Sequence, residues 1–230
     1  MNRTAFITGT SRGLGYALVE QFLIQGWFVY CLVRNNEDAT KMTEMNSSYC
    51  IPIISDVTSN KIQSDISSSL SNSTVIDVLI NNAGAGSNAK PFAETSVDDI
   101  SNLLDIHCLG ALKVTQTILP FIKNDGIIIN MSSRFGSITK TASGELDNIS
   151  CSYSYRIAKA AQNMFSQCLS REYKNSSIKV CSIHPGKLKT ASASLDADRE
   201  PSEAAETLLS LINKIENGRF YSLFDGEIDW

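Results

Sequence analysis

Thr8-Gly9-Thr10-Ser11-Arg12-Gly13-Leu14-Gly15 joins an apolar run at residues 4–8 to a segment of helical period at 14–25. Its three glycines, Gly9, Gly13 and Gly15, stand where a chain must turn sharply and meet a ligand with bare backbone. The helix that follows supplies unpaired N–H groups and partial positive charge, so a pyrophosphate fits at this turn. An ordinary glycine-rich turn could look the same, but its place after the first strand of a β-α-β pattern favours a nucleotide site. The second strand ends at Val33-Arg34, where an NAD site would usually place an acid against the ribose hydroxyl. Arg34, helped by Arg12 in the turn, suits the 2'-phosphate of NADP instead, so NADP is expected over NAD, with NAD still possible. Solvated loop arginines are the plain alternative.

Outward from this turn, short apolar runs alternate with helix-period segments, the pattern of a parallel sheet covered by helices. Strands are expected at 4–8, 28–33, 49–54, 75–81, 126–132, 179–184 and near Phe220. Helices are expected at 14–25, near 38–45, and at 59–70, 97–122, 152–173 and 202–215. Ser202 after Pro201, with Glu203 and Glu206 following, reads as a helix start. Residues 46–48 and 67–74, rich in Ser and Asn, read as surface loops too short to link domains. The expected fold is α/β, one Rossmann-type domain over 1–230, with a doubly wound parallel sheet of about seven strands and helices on both faces.

Composition narrows the function. With 230 residues, 43% apolar, the chain can bury a core without disulfides or a structural metal. Twenty Lys and Arg against twenty-four Asp and Glu give no basic field for nucleic acid. No run approaches a membrane span of about 18 apolar residues, and the start lacks a basic-then-apolar secretory pattern, so a cytoplasmic location without membrane contact is expected. Cys31, Cys50, Cys108, Cys151, Cys168 and Cys181 form no CxxC pair and read as reduced core residues. With His107 and His184 the only histidines, no metal site is expected.

One tyrosine of the seven has a lysine four residues on, in Tyr155-Arg156-Ile157-Ala158-Lys159. On a helix both side chains share a face, and a nearby ammonium pulls a phenol below its ordinary value of about 10. That pair would serve as a proton donor or acceptor. Alone, the spacing usually marks a solvated helix face.

The glycine turn, Asn81-Asn82-Ala83-Gly84, Asn130-Met131-Ser132-Ser133 and Tyr155/Lys159 follow one another in the order of a known family. The chain resembles the short-chain dehydrogenases/reductases over nearly its whole length, including Asp56-Val57 and Pro185-Gly186-Lys187-Leu188-Lys189-Thr190. Gly218-Arg219-Phe220-Tyr221 and Asp225-Gly226 resemble the compact branch that includes C-factor and sniffer-type carbonyl reductases. The resemblance implies that Tyr155 gives a proton to a carbonyl oxygen as hydride reaches its carbon from the nicotinamide. It implies that Lys159 tunes Tyr155 and holds the nicotinamide ribose, and that Ser133 hydrogen-bonds the substrate oxygen, with Ser132 structural. Ser11, Leu14 and the glycines would hold the pyrophosphate turn. Asp56 would meet the adenine beside Val57, and the backbone of Asn82, Ala83 and Gly84 would line the adenosine. Leu188 and Thr190, after Pro185 and Gly186, would touch the carboxamide.

Two departures stand out. His107, in Ile106-His107-Cys108-Leu109-Gly110, occupies the family's usual Asn position in the proton relay. It is expected to support that relay directly or through water, titrating near 6.5, against the alternative of a packed helix histidine. Ser133 also lies twenty-two residues before Tyr155 because residues 136–150 form an extended polar loop, which would border the substrate. Residues 191–200 leave little chain for a lid, so the pocket is expected to be fairly open. The leading reading is an NADP-dependent enzyme acting on a small carbonyl or alcohol substrate. The alternative is a dinucleotide-binding signalling or regulatory protein of the same fold. In the family the helices matching 97–122 and 152–173 pair, so a homodimer or homotetramer is expected.

Overall fold

Ala5 and Ile7 point to one face of the first strand and Phe6 to the other, and none of the three is exposed, so this strand is covered on both sides. The computed structural model describes residues 2–86, 88–190 and 197–230. Strands β1 (Thr4–Thr8), β2 (Phe28–Val33), β3 (Cys50–Ile54), β4 (Ile76–Asn81), β5 (Ile122–Met131), β6 (Lys179–His184), β7 (Phe220–Ser222) and β8 (Gly226–Glu227) form one sheet. Their order is β3-β2-β1-β4-β5-β6-β7-β8. All pairs are parallel except the last, where β8 returns antiparallel on β7. That two-residue edge strand is an eighth, beyond the seven expected, and it has too little sequence to carry a pattern of its own.

The helices are α1 (Gly13–Ile24), α2 (Asn36–Met45), α3 (Ile62–Ser69), α4 (Val97–Leu104), α5 (Gly110–Ile118), α6 (Ile138–Ala142), α7 (Tyr153–Glu172) and α8 (Pro201–Leu211). One core cluster joins β-strand side chains to Leu18 and Phe22 of α1 and Ala205 and Leu208 of α8. The other joins them to Ile62 and Ile66 of α3 and Val114 and Ile118 of α5. Chain order reverses between β1 and β4, the place where such sheets open a crevice at their carboxyl ends.

Several boundaries differ from expectation. The single helix expected at 97–122 is broken: a wide π turn at Asp105–Leu109 separates α4 from α5, and a 3-10 turn at Leu119–Phe121 containing Pro120 ends the run before β5. Residues 67–69 belong to α3 rather than to a loop. Ser202 is not the cap of α8; Glu200 is, with Pro201 at the first position where its missing N–H costs nothing. Residues 136–150 are not simply extended, since they contain α6, held to the chain end where Ser137 Oγ donates to Asp229 O at 2.6 Å. Only Cys31, Cys50 and Cys181 are core residues; Cys168 is exposed, while Cys108 and Cys151 are half-buried. Among the described residues, no helix is long and apolar enough to cross a membrane.

The inner face of α7 is unusual. It buries Ser154, Lys159, Gln162, Asn163, Ser166 and Ser170 rather than an apolar stripe. Ser132 Oγ donates to Asn163 Oδ1 at 2.6 Å, and Asn130 Nδ2 donates to Ser166 Oγ at 2.8 Å. Ser182 Oγ donates to Ser166 Oγ at 2.9 Å, and Asn81 Nδ2 donates to Asn130 Oδ1 at 2.8 Å. Hydrogen bonds thus fasten α7 directly to β5 and β6, and through Asn130 to β4, leaving Asn81 Oδ1 as a buried oxygen without a partner.

Candidate active site

The crevice is a cleft of about 1310 Å³ at the carboxyl ends of the strands. At its phosphate end, Thr8 Oγ1 accepts from Asn82 N at 3.0 Å and from Ala83 N at 2.9 Å. Asn82 Nδ2 donates to Thr8 O at 3.0 Å and Gly9 O at 3.1 Å, stitching β1 to the segment after β4. A Cβ on Gly9, whose φ is +69°, would lie 2.7 Å from Ala83 Cα. Gly15 has no room for one either, because Gly9 and the Asn82 amide occupy the space. Arg12 caps α1 in extended conformation with no side-chain acceptor for the helix N–H groups, which therefore face the cleft open to an anion. The glycine cradle and the uncapped helix start fit a dinucleotide pyrophosphate.

Every residue expected around the cofactor lines this cleft: Ser11, Arg12, Gly13, Leu14 and Gly15 at the turn, Arg34, Asp56 and Val57 beyond it, and Asn82 to Gly84 opposite. Arg12 and Arg34 are exposed, and no carboxylate among the described residues pairs with either. Asp56 spends one carboxylate oxygen on its own turn, accepting from Thr58 N at 2.9 Å and Thr58 Oγ1 at 2.7 Å. Pro185, Gly186, Leu188 and Thr190 close the far wall, with Thr190 Cγ2 only 3.3 Å from where a Gly13 Cβ would sit.

At the reacting end, Ser152 caps α7 by accepting from Tyr155 N at 3.1 Å and so sets where the first turn begins. Tyr155 and Ser133 both line the cleft, and the Ser133 hydroxyl acts on the phenol to favour its ionised form. Tyr153, two residues earlier, instead lies half out in solvent against Phe92, with ring centroids 5.6 Å apart. Ser133 hangs from the end of β5 as the cap of a 3-10 turn, and Ser132 faces inward to Asn163. Gly136 is needed there because a Cβ would press within 2.8 Å of the Lys159 backbone. Lys159 is buried and donates to Met131 O at 2.6 Å and Gln162 Oε1 at 2.9 Å.

The electrostatics correct one expectation. Burial, reinforced by Cys151, pushes the Tyr155 phenol up to about 12 against the lowering effect of the Ser133 hydrogen bond. Burial also draws the Lys159 ammonium down to about 7. Its nitrogen sits 5.8 Å from the Tyr155 ring centre and is spent on Met131 and Gln162, so the lysine does not pull the phenol below its ordinary value here. The phenol is protonated throughout the neutral range, the form a proton donor needs.

His107 lies within the wide π turn, on the cleft wall, and is 2% exposed. Its Nε2 is 2.8 Å from Ala85 O and 3.3 Å from Ala85 N; the shorter contact favours the tautomer in which Nε2 donates to the carbonyl, and Nδ1 is buried without a partner. The ring stands edge-on to Tyr155, centroids 5.4 Å apart at 89°, and it fills the space where a Gly84 Cβ would lie 2.8 Å from Cε1. Burial and then Lys159 push the imidazole down to about 3, against the Ala85 hydrogen bond. The expected titration near 6.5 is therefore replaced by a ring that stays neutral throughout the neutral range.

The cleft also gathers residues the sequence did not single out, among them Arg134, Cys151, His184 and the segment Ala85–Gly86. Arg134 could have been found from its place directly after Ser133, whereas His184 and Cys151 reach the cleft only through sheet order. Of the polar loop before α7, only Ile149 and Ser150 border it. The expected openness depends on 191–200, of which 191–196 lie outside the described residues.

A family model described as short chain dehydrogenase matches residues 3–200. The oxidoreductase BOA17 of Botryotinia fuckeliana is 30% identical over 194 residues, covering 83% of this chain and 67% of that one. The C-signal protein of Myxococcus xanthus is 28% identical over 160 residues, 67% of this chain and 93% of that one. Among solved structures, NADPH-bound carbonyl reductase from chicken fatty liver superposes with a TM-score of 0.88 at 24% identity, covering 100% of this chain and 99% of that one. The carbonyl reductase Sniffer of D. melanogaster gives 0.87 at 23% identity, with both chains covered completely.

Proposed function

The chain belongs to the short-chain dehydrogenase family, a class of NAD(P)-dependent oxidoreductases, and on that premise we propose that it is an NADP-dependent reductase of small carbonyl compounds. The observation that carries this reading is that Ser133, Tyr155 and Lys159 line one end of a cleft whose other end is a glycine cradle. Arg12 and Arg34, exposed and without carboxylate partners among the described residues, suit the extra phosphate that separates NADP from NAD. The relatives whose structures hold NADPH or NADP support the same preference. The placement within the carbonyl-reductase branch rests on the likeness to the chicken and Sniffer enzymes.

When bound, the cofactor supplies the hydride. Tyr155 holds the proton that the substrate oxygen takes up, and Ser133, on the same end of the cleft, offers the same oxygen a second donor. Lys159 anchors the base of the site through Met131 and Gln162 and is the cation placed to hold the ribose end of the cofactor. The neutral His107 ring braces Tyr155 from the side and secures the Ala85 segment. The exposed apolar residues Val97 and Leu109 near α4 and Ile157 and Met164 on α7 support pairing of two chains along these helices.

The test is fluorescence titration of wild-type and Tyr155→Phe protein with NADPH and NADH, followed by NADPH oxidation with aldehydes, ketones and quinones. Both proteins should bind NADPH in preference to NADH, and Tyr155→Phe should lose turnover by a factor of about a hundred or more. Binding without turnover across the panel would favour the signalling alternative, and absence of binding by folded protein would overturn the reading.

A further inference from the structure

Arg134 follows Ser133 directly and lines the same end of the cleft. It is half-buried, yet among the described residues no carboxylate lies within ion-pair distance of its guanidinium. Its contact is with the neighbouring Phe135 ring, 5.7 Å from the guanidinium carbon, a weak interaction at that distance. Nearby cations are provided for differently. Lys140 pairs with Glu145 at 2.6 Å, Lys159 has Met131 O and Gln162, and Arg156 reaches Thr141 and the carbonyls of Leu146 and Ile149. Asp225, which acts electrostatically on the same buried His184 as Arg134, is taken by Ser222 Oγ at 2.7 Å.

The cleft as a whole is cationic in a chain of net charge -4. Arg12, Arg34, Arg134, Lys159, Lys187 and Lys189 line it, against Asp56 as the one carboxylate among the described lining residues. Arg12 and Arg34 stand at the far end, where the cofactor phosphate accounts for them, and Lys189 pairs with Glu200 at 2.8 Å. Arg134 is left beside the reacting oxygen's donors with no charge to answer its own. A guanidinium partly withdrawn from water loses solvation, and a carboxylate restores it with two parallel, charge-assisted hydrogen bonds.

We propose that the carbonyl substrate carries an anionic group, a carboxylate or similar oxyacid, which Arg134 holds while Ser133 and Tyr155 hold the carbonyl oxygen. This assignment rests on the carbonyl-reductase reading above.

The experiment compares kcat/KM for 4-carboxybenzaldehyde and its neutral methyl ester in wild-type, Arg134→Met and Arg134→Lys proteins at saturating NADPH. The wild type should prefer the acid by about tenfold or more, the preference should collapse toward unity in Arg134→Met, and Arg134→Lys should recover part of it. Equal kcat/KM for acid and ester in the wild type, or a preference that survives Arg134→Met, overturns the proposal. A second arm measures benzoate binding to NADP-loaded protein by calorimetry, which needs no turnover. If neither aldehyde reacts, the reductase reading fails separately. Benzoate binding that is lost in Arg134→Met then still supports the anion site, and binding that is absent in the wild type or unchanged in the variant overturns it.

Discussion

Replacing Gly15 with alanine sets two effects of opposite sign against each other. On an open helix the change would favour folding by about 1 kcal/mol, because alanine gives up less backbone freedom than glycine. Here the added Cβ would overlap the Gly9 carbonyl oxygen and lie 2.6 Å from Asn82 Nδ2. Neither neighbour can swing aside freely. Gly9 N donates to Leu32 O at 3.1 Å, and the Asn82 amide is committed to Thr8 O and Gly9 O at 3.0 and 3.1 Å. Relief requires the first turn of α1 to retreat by about 1 Å and the Asn82 amide to turn away, giving up its two bonds. Overpacking of this kind costs about 1–3 kcal/mol, and each hydrogen bond lost adds about 1 kcal/mol. After the propensity gain, a net loss of about 2–4 kcal/mol remains, or a fall in Tm of about 4–16 °C for a domain of this size. Circular-dichroism melts read the stability. Fluorescence titration should show NADPH affinity weakened about tenfold or more, because the displaced N–H groups are those that face the pyrophosphate. A Tm that holds or rises, with NADPH affinity within about twofold of wild type, would refute the reasoning.

Arg34→Ala should weaken NADPH binding by about ten- to a hundredfold while changing NADH binding by less than about threefold, and an equal loss for both nucleotides would remove the arginine from the phosphate. His107→Asn should leave the shape of the kcat/KM pH profile between pH 6 and 9 as in wild type, because the imidazole is held down to about 3 and stays neutral; a limb near 6.5 present only in wild type would show the opposite. His107 and His184, held down to about 3 and about 4, bind protons less readily folded than unfolded. Their contribution to stability is therefore complete above pH 6.5 and lost as pH falls toward 4 and then 3, with about 2 kcal/mol from each gone by pH 5. Urea unfolding at pH 7.5 and pH 5 measures this, and equal stability at the two values would contradict it.

The elements whose shape depends on their own residues were readable. The strand pattern predicts β1, β2 and β6 with their observed bounds, because doubly covered strands are continuous apolar runs. The glycine turn and the Tyr155/Lys159 pair were visible because each is a local arrangement, one a turn and the other a helix face. The wide turn at Asp105–Leu109 was not visible, since it goes with distant contacts: Gly110 against Val57 and His107 on Ala85. Arg134 reads locally as one more loop arginine, and its lack of a counter-charge exists only once the sheet has assembled. The direction of the Tyr155 shift was misjudged for a related reason, because sequence spacing shows a neighbouring charge and not how much water is excluded.

The polar inner face of α7 acts as a rotational lock. A helix seated on aliphatic side chains can roll several degrees with little loss, since dispersion is nearly indifferent to direction. Hydrogen bonds are not, and a roll of α7 would stretch Ser132–Asn163, Asn130–Ser166 and Ser182–Ser166 together. The azimuth of Tyr155 is thereby set by residues about two to three turns further along the same helix, on bonds to β5 and β6. Substitutions on the outer side of α7, at Ile157 or Met164, leave that angle alone. Removing the Ser166 hydroxyl, as in Ser166→Ala, would loosen it without touching the cleft.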